Sequence, residues 1–180
     1  MALAAALTAL ALAPGTGSAQ GPPRYVGGGG GWVRPVGTFG DVDNAGWHVL
    51  VTAAQGLTGS LGLGIDATYG QTTHENDAGK SAFAGAIANL TLFVGGEGRR
   101  IRPFLFAGAG AFRVEVTVPA FGSATATKPA FNAGVGVLIG SRGRRAFVTA
   151  RYLTVRTAPQ PTSFVPISAG VVVPVGAPTR

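Results

Sequence analysis

The 180-residue chain contains no cysteine, few charged side chains and, beyond its first 19 residues, no long apolar run suited to a helix. Without cysteine there is no disulfide scaffold, no thiolate metal site and no cysteine nucleophile. Charged residues make up 12% of the chain, against about 25% in a typical soluble domain. Because no later segment offers about 18 apolar residues free of helix breakers, we expect any membrane crossing to use strands.

Glycine and arginine are the abundant residues that need an explanation. The 30 glycines lie inside apolar segments, and the mean hydropathy is +0.34; glycine within strands marks close packing, bulges or tight curvature. The net charge is +7, a balance that suits nucleic acid or anionic lipid headgroups. We favour lipid and predict no nucleic-acid partner, because the arginines cluster in short turns between apolar segments, at Arg99, Arg100, Arg102, Arg142, Arg144 and Arg145.

The first 19 residues are predicted to be a secretory signal peptide. An apolar stretch over residues 2–13 is followed by a break at Pro14 and by the small residues Gly17, Ser18 and Ala19 before Gln20. A positively charged start is missing, and the alternative is a buried N-terminal helix. The predicted organisation is a signal peptide over 1–19 and a single domain over 20–180.

Alternation of apolar or small residues with polar ones at period two predicts eight strands. They are expected at Tyr25–Val33, Gly46–Ala54, Leu57–Tyr69, Ser81–Val94, Ile101–Val118, Pro129–Ile139, Arg145–Thr157 and Phe164–Val175. The connections alternate between a longer set, Arg34–Ala45, Gly70–Lys80, Pro119–Lys128 and Ala158–Ser163, and a tighter set, Gln55–Gly56, Gly95–Arg100 and Gly140–Arg144. This pattern is typical of outer-membrane barrels. The predicted fold is therefore all-β, an eight-stranded antiparallel up-and-down transmembrane barrel with its long loops outside the cell.

The segment Ile101–Val118 shows the two faces most clearly. Phenylalanine, valine and glycine alternate with a second set that carries Arg113 and Glu115. We predict that the phenylalanine face contacts lipid and that the charged face lines the lumen.

Charged residues with the parity of the inner face are expected to pair, because isolated charges in a narrow lumen would be strongly desolvated. The predicted lumen network comprises Arg113, Glu115, Arg151, Asp66 and His48. The alternative is an ion path gated by rearranging pairs. We predict no catalytic residue, metal ligand or cofactor; His74, with Glu75 and Asp77, is interpreted as a solvated loop histidine.

Aromatic residues near the strand ends predict two girdles at the membrane interfaces. Trp32, Trp47, Tyr69 and Phe131 lie beside the long loops, and Phe104 and Phe106 lie towards the opposite ends. Three phenylalanines, Phe83, Phe93 and Phe164, depart from this arrangement because they have inner-face parity.

Several of these segments together resemble a known family. Residues Arg102–Ala111, Asn132–Ile139, Phe147–Tyr152 and Val165–Val173 are similar to the small outer-membrane β-barrel proteins of the OmpA/OmpX type. The resemblance covers Tyr25 to Val175 and implies the barrel fold far more strongly than any function. Two departures stand out: Val173 replaces the usual terminal aromatic read by the insertion machinery, and Thr149 replaces an acidic residue common two positions before the arginine.

The expected function is that of a non-enzymatic bacterial outer-membrane protein with a filled lumen. It would serve envelope integrity, surface interaction or adhesion, or slow passage of small solutes. Its expected partners are outer-membrane lipids and lipopolysaccharide, the barrel-insertion machinery and a surface ligand held by the loops. Two alternatives remain: a lipid A-modifying enzyme of the same fold, and a soluble lipocalin-like carrier with its apolar face inside.

Overall fold

A computed structural model shows a closed barrel of eight antiparallel strands. It describes residues 22–37, 40, 43–74, 79–96, 98–118, 122–140, 143–158 and 160–175. The strands are β1 Arg24–Val36, β2 Gly46–Gly56, β3 Leu61–Thr73, β4 Lys80–Phe93, β5 Ile101–Val118, β6 Gly122–Gly140, β7 Arg145–Val155 and β8 Thr162–Val175. Among these residues, no helix is long and apolar enough to cross a membrane. The predicted signal peptide lies outside the described residues.

Each strand pairs with its sequence neighbours, and β8 closes the sheet against β1. The closing register runs from Arg24 opposite Val175 to Val36 opposite Ser163. Closure leaves no strand with an unpaired edge along this register, which is the condition for placing a sheet in hydrocarbon. The predicted eight-stranded up-and-down topology is confirmed.

The connections alternate between the two ends of the barrel, but they do not alternate in length as predicted, because three residues separate β5 from β6 and seven separate β4 from β5. The connections over 37–45, 74–79, 119–121 and 156–161 lie at one end, called here the loop end. The connections over 57–60, 94–100 and 141–144 lie at the opposite end, called the turn end, together with the start of β1 and the end of β8.

Two predicted connections are wrong in their bounds. The turn between β2 and β3 lies at Leu57–Ser60 instead of Gln55–Gly56, because the Thr58 hydroxyl accepts hydrogen bonds from the Ser60 and Leu61 amides at 3.2 and 3.0 Å. Most of the predicted loop Pro119–Lys128 belongs to β6. There, alternating alanine and threonine pair with β5 as far as Gly122 opposite Val118, and the β-branched threonines favour the extended chain.

The outer face of the barrel is a continuous apolar belt. Large aliphatic side chains with roughly half of their surface exposed point outward from the strands, among them Val49, Val51, Leu63, Leu90, Leu92, Leu105, Val135, Val148, Ile167 and Val171. Soluble monomers rarely expose apolar patches of more than a few hundred Å². The belt is therefore suited to contact hydrocarbon.

The predicted orientation of β5 is wrong. Phe106, Phe112 and Val114 are buried in the lumen, whereas Leu105 and Arg113 on the other face are exposed. Phenylalanine is apolar enough for either environment, so its presence alone does not tell the lipid-facing side from the interior.

Cross-strand glycines explain why the phenylalanines point inward. Inner-face phenylalanines stand opposite glycines of adjacent strands, in the register pairs Phe83 with Gly70, Phe112 with Gly85, Phe106 with Gly134, Phe104 with Gly136 and Phe147 with Gly170. A Cβ on any of these glycines would collide with the ring of its partner. Glycine thus supplies the room that a bulky ring needs inside a narrow barrel.

Gly31 and Gly28 of β1 offer a matched test of interior crowding. A Cβ on Gly31 would overlap the Ile167 carbonyl and lie 3.1 Å from Ser168 Cα, whereas the nearest atom to one on Gly28 is the Leu50 carbonyl oxygen at 3.4 Å. We expect Gly31→Ala to lower the free energy of unfolding by about 1–3 kcal/mol, and Gly28→Ala to change it by less than about 0.5 kcal/mol. Urea unfolding of the refolded barrel, followed by its heat-modifiable gel migration, measures both. Equal effects of the two substitutions would contradict this account.

Candidate functional site: the barrel lumen

The lumen next to the loop end is filled by apolar side chains, called here the apolar plug. Phe83 of β4 contacts Phe164 of β8, on the opposite wall, with ring centroids 4.8 Å apart, and the Phe112 centroid lies 6.4 Å from that of Phe83. The plug is completed by Val33, Ile87, Val114, Ala130, Leu153 and Val155, all buried. Aromatic contact between opposite walls closes this half of the barrel.

Below the plug, a charged pair joins two opposite strands. Arg151 Nη1 of β7 lies 2.9 Å from Asp66 Oδ2 of β3, and the Asn89 side-chain amide donates to the same oxygen at 3.1 Å. The two charged side chains are only 8% and 14% exposed. The Arg151 guanidinium also lies 5.0 Å from the centroid of the Phe106 ring, a cation–π contact. These contacts stabilise both charges and connect the walls.

A histidine and a serine meet beside this pair, and all four residues line one small space. His48 Nε2 of β2 and Ser168 Oγ of β8 are hydrogen-bonded at 2.7 Å, and both residues are almost fully buried. Strand β1 runs between them, and Gly31 is the register partner of both residues. Because Gly31 has no side chain, the two polar groups can reach each other across β1.

The turn-end half of the lumen contains a cavity of about 150 Å³, called here the turn-end cavity. Aromatic side chains supply much of its lining, namely Tyr25, Phe93, Phe104, Phe106 and Phe147. Arg102 and Arg145, both buried, and Arg151 also line it. The Arg102 guanidinium donates to the Gly59 carbonyl and lies 4.2 Å from the Phe93 ring centroid.

The structure divides the predicted lumen network into two groups. It brings Asp66, Arg151 and His48 into the lumen, but Arg113 is exposed on the outer face and Glu115, of the same parity, is partly exposed. The interior placement of Arg113 and Glu115 is wrong because the whole of β5 has the opposite orientation.

Several interior polar residues were not predicted. They include Asn89, Asn132, Arg102, Arg145 and Ser168. The inner-face glycines could have indicated them, because residues two apart on a strand share a face. Asn132, for example, lies two residues before Gly134. Thr149 is also interior, and the carboxylate that pairs with Arg151 comes from β3 across the lumen instead of from position 149.

Of the two predicted aromatic girdles, the structure places the loop-end residues on the outer face and the turn-end residues inside. Trp32, Trp47, Tyr69 and Phe131 all point outward near the loop end, and the Trp47 and Tyr69 ring centroids are 5.7 Å apart. Tyr152, 51% exposed, joins them and was not predicted. Phe104 and Phe106 do not form a second girdle, because they point into the turn-end cavity opposite Gly136 and Gly134.

The loop-end histidine is not a freely solvated group. His74 Nε2 lies 3.3 Å from the Asp43 carboxylate, which also accepts a 2.5 Å hydrogen bond from the Thr72 hydroxyl. These contacts connect the β1–β2 connection to the end of β3. Within the described part of the chain, no group of three or more His, Cys, Asp or Glu residues could hold a metal ion. Glu75 and Asp77 lie outside that part.

Comparison with solved structures identifies the fold. Neisserial surface protein A matches with a TM-score of 0.65 and 14% identity over 83% of this chain and 96% of that one. The N-terminal β-barrel domain of Pseudomonas aeruginosa OprF gives 0.59 and 14% over 87% and 100%. Ail of Yersinia pestis, the attachment invasion locus protein, solved with the heparin analogue sucrose octasulfate, gives 0.57 and 13% over 85% and 99%.

The sequence itself matches no family model and no curated protein. At these identities the structural likeness concerns the fold. The chain has the fold of the small eight-stranded outer-membrane barrels, and the resemblance seen in the sequence is confirmed at that level.

The Asp66–Arg151 pair generates a prediction about stability. Removing one partner leaves the other charge in the lumen without its counterion, so Asp66→Asn or Arg151→Met should each cost about 3–5 kcal/mol. The double variant should lose less than the sum of the two. Urea unfolding of the wild type, the two single variants and the double variant in one detergent measures this double-mutant cycle. Arg99→Met, at an exposed turn residue, is the control. Strict additivity would show that the two side chains do not stabilise each other.

Proposed function

We propose that this protein is a non-enzymatic bacterial outer-membrane barrel that presents its loop end at the cell surface and keeps its lumen closed to steady solute flow. Its roles would be envelope integrity and surface interaction. The single observation that carries this proposal is the apolar plug, in which Phe83 and Phe164 of opposite walls are in contact. Signal-peptide cleavage after Ala19 and insertion despite Val173 in place of a terminal aromatic belong to the same proposal.

The apolar belt supports membrane residence over a soluble lipocalin-like carrier. The inward phenylalanines of β5 do not distinguish the two, because a carrier also hides its apolar face inside. Outward Leu90, Val135 and Ile167, together with Trp32 and Trp47 near the loop end, do distinguish them. A carrier in water would leave this whole belt solvated, which soluble proteins avoid.

Outward arginines towards the loop end support contact with lipopolysaccharide. Tyr69 pairs with Ala84, and Ala84 pairs with Arg113, so Arg113 lies two strands away from Tyr69 of the girdle. The Arg156 guanidinium lies 5.5 Å from the Phe131 ring centroid. Cationic groups beside interfacial aromatics are placed to contact phosphate groups. The sulfated ligand of the Ail structure is consistent with a basic surface of this kind.

The geometry gives little support to a lipid A-modifying enzyme. A serine and a histidine do meet, at Ser168 and His48, but they are buried below the plug. The space beside them amounts to about 10 Å³, which is about the room one water molecule requires. A lipid substrate therefore has no access to this pair.

Membrane residence and lipid contact can be tested together. The purified chain should need detergent or lipid to remain monodisperse, and should fold into liposomes with heat-modifiable migration. Adding lipopolysaccharide to phosphatidylcholine liposomes should raise its urea midpoint, because phosphates pair with Arg113 and Arg156. Arg113→Ala with Arg156→Ala should abolish that increase, whereas Arg99→Ala with Arg144→Ala at the turn end should not. A chain that stays monodisperse without detergent would overturn the membrane assignment.

The closed lumen makes a prediction about conductance. In planar bilayers the wild-type protein should show no steady conductance, because the plug is an apolar barrier without polar groups to replace an ion's hydration. Phe83→Ala with Phe164→Ala should produce channel events, since the layer below the plug is polar and can hydrate. Phe131→Ala, which removes an outward ring, is the control. Steady conductance of the wild-type protein would contradict the proposal.

A further inference from the structure

The turn-end cavity is a blind pocket. The polar layer of Asp66 and Arg151 contributes to its lining, and the apolar plug lies beyond that layer. Its lining also includes Pro23 before β1 and Thr58 of the β2–β3 turn, residues at the turn end of the barrel. A ligand would therefore enter and leave at the turn end, without passing the plug.

The size and the lining of the turn-end cavity indicate which apolar group a ligand would carry. The cavity of about 150 Å³ equals the volume of an engineered apolar cavity that takes up benzene, about 150 Å³. Rings from several walls, including Phe93, Phe104, Phe106 and Phe147, line it. Aromatic side chains favour edge-to-face and offset contacts with another ring. One aromatic ring is therefore the matching apolar group.

Charge defines the rest of the ligand. Arg102 and Arg145 line the cavity and are buried, 6% and 9% exposed. Arg151, also on the wall, pairs with the carboxylate of Asp66, and Arg102 and Arg145 have contacts of their own. Among the described residues that line the cavity there are three arginines and one carboxylate. Low-dielectric walls of one charge sign concentrate oppositely charged ligands.

The rim of the barrel at the turn end is also positively charged. Arg99, Arg100 and Arg144 are exposed in its turns, while Glu97 is the acidic residue in the sequence of these turns. This rim would draw anions to the entrance. Guanidinium groups bind carboxylates with charge-assisted hydrogen bonds.

We propose that the turn-end cavity binds a small aromatic carboxylate, a molecule of one ring and one carboxylate group. The ring would lie among the phenylalanines, and the carboxylate would face Arg145. This site is independent of the surface role proposed above, because it lies at the opposite end of the barrel. Benzoate is the simplest molecule of this class.

The test uses 4-fluorobenzoate as the probe and fluorine NMR as the readout. The full barrel is placed in lipid nanodiscs, and empty nanodiscs of the same lipid correct for partition into the bilayer. We expect a saturable, protein-dependent change in line width or shift. We also expect 4-fluorobenzyl alcohol, neutral and of similar size, to bind at least about tenfold more weakly, as the loss of a charged hydrogen bond implies. No difference from empty nanodiscs would overturn the proposal.

Matched variants locate the site. Thr52→Phe fills the cavity, and Val51→Phe places the same ring on the outer belt one residue away. We expect the first to abolish saturable binding and the second to preserve it. Thr91→Phe is a second filling variant in case Thr52→Phe does not fold, which gel migration shows. Binding that survives both filling variants would exclude the cavity as the site.

A second pair of variants tests the role of charge. Arg145→Gln should weaken 4-fluorobenzoate binding by about tenfold and leave the binding of the neutral alcohol unchanged. Arg144→Gln, at the exposed neighbour, should have a much smaller effect on both. If Arg145→Gln weakens the acid and the alcohol equally, or neither, the assignment of a carboxylate ligand is wrong.

Discussion

Closure with eight strands fixes the width of this barrel, and the packing of the interior follows from that width. A barrel of this size has room for side chains and little else. Rings fit because glycine stands opposite them in the register, as at Phe83 with Gly70 and Phe106 with Gly134. The same device brings His48 to Ser168 across Gly31. These glycines are therefore part of the lumen wall.

The sequence was sufficient to predict the number of strands, their order and most of their bounds. Period-two alternation has a direct physical cause, since successive side chains of a strand point to opposite faces. It does not say which face is inside, because phenylalanine is stable both in lipid and in a packed core. For β5 the informative residues were Gly108 and Gly110, which share the face of Phe104, Phe106 and Phe112 and mark it as the crowded one.

The candidate site was harder to predict, because its contacts join distant parts of the sequence. Asp66 and Arg151 belong to opposite walls, and nothing near Arg151 in the chain specifies its partner. Arg113 was hard to predict for a different reason, which is its depth in the bilayer. An outward arginine is costly at the centre of a bilayer and tolerated near its interface, and the place of Arg113 near the loop end follows only from the bounds of β5 and its register with β4.

The lumen is asymmetric along its axis, and that asymmetry separates an apolar barrier from a cavity. Apolar contact between Phe83 and Phe164 closes the loop end, whereas the turn end contains a cavity with Arg102 and Arg145 in its lining. If the loop end faces the outside, a molecule in the cavity exchanges with the periplasm alone. A closed barrel can thus bind a small anion on one side of the membrane without conducting it, because the barrier and the binding site occupy different layers.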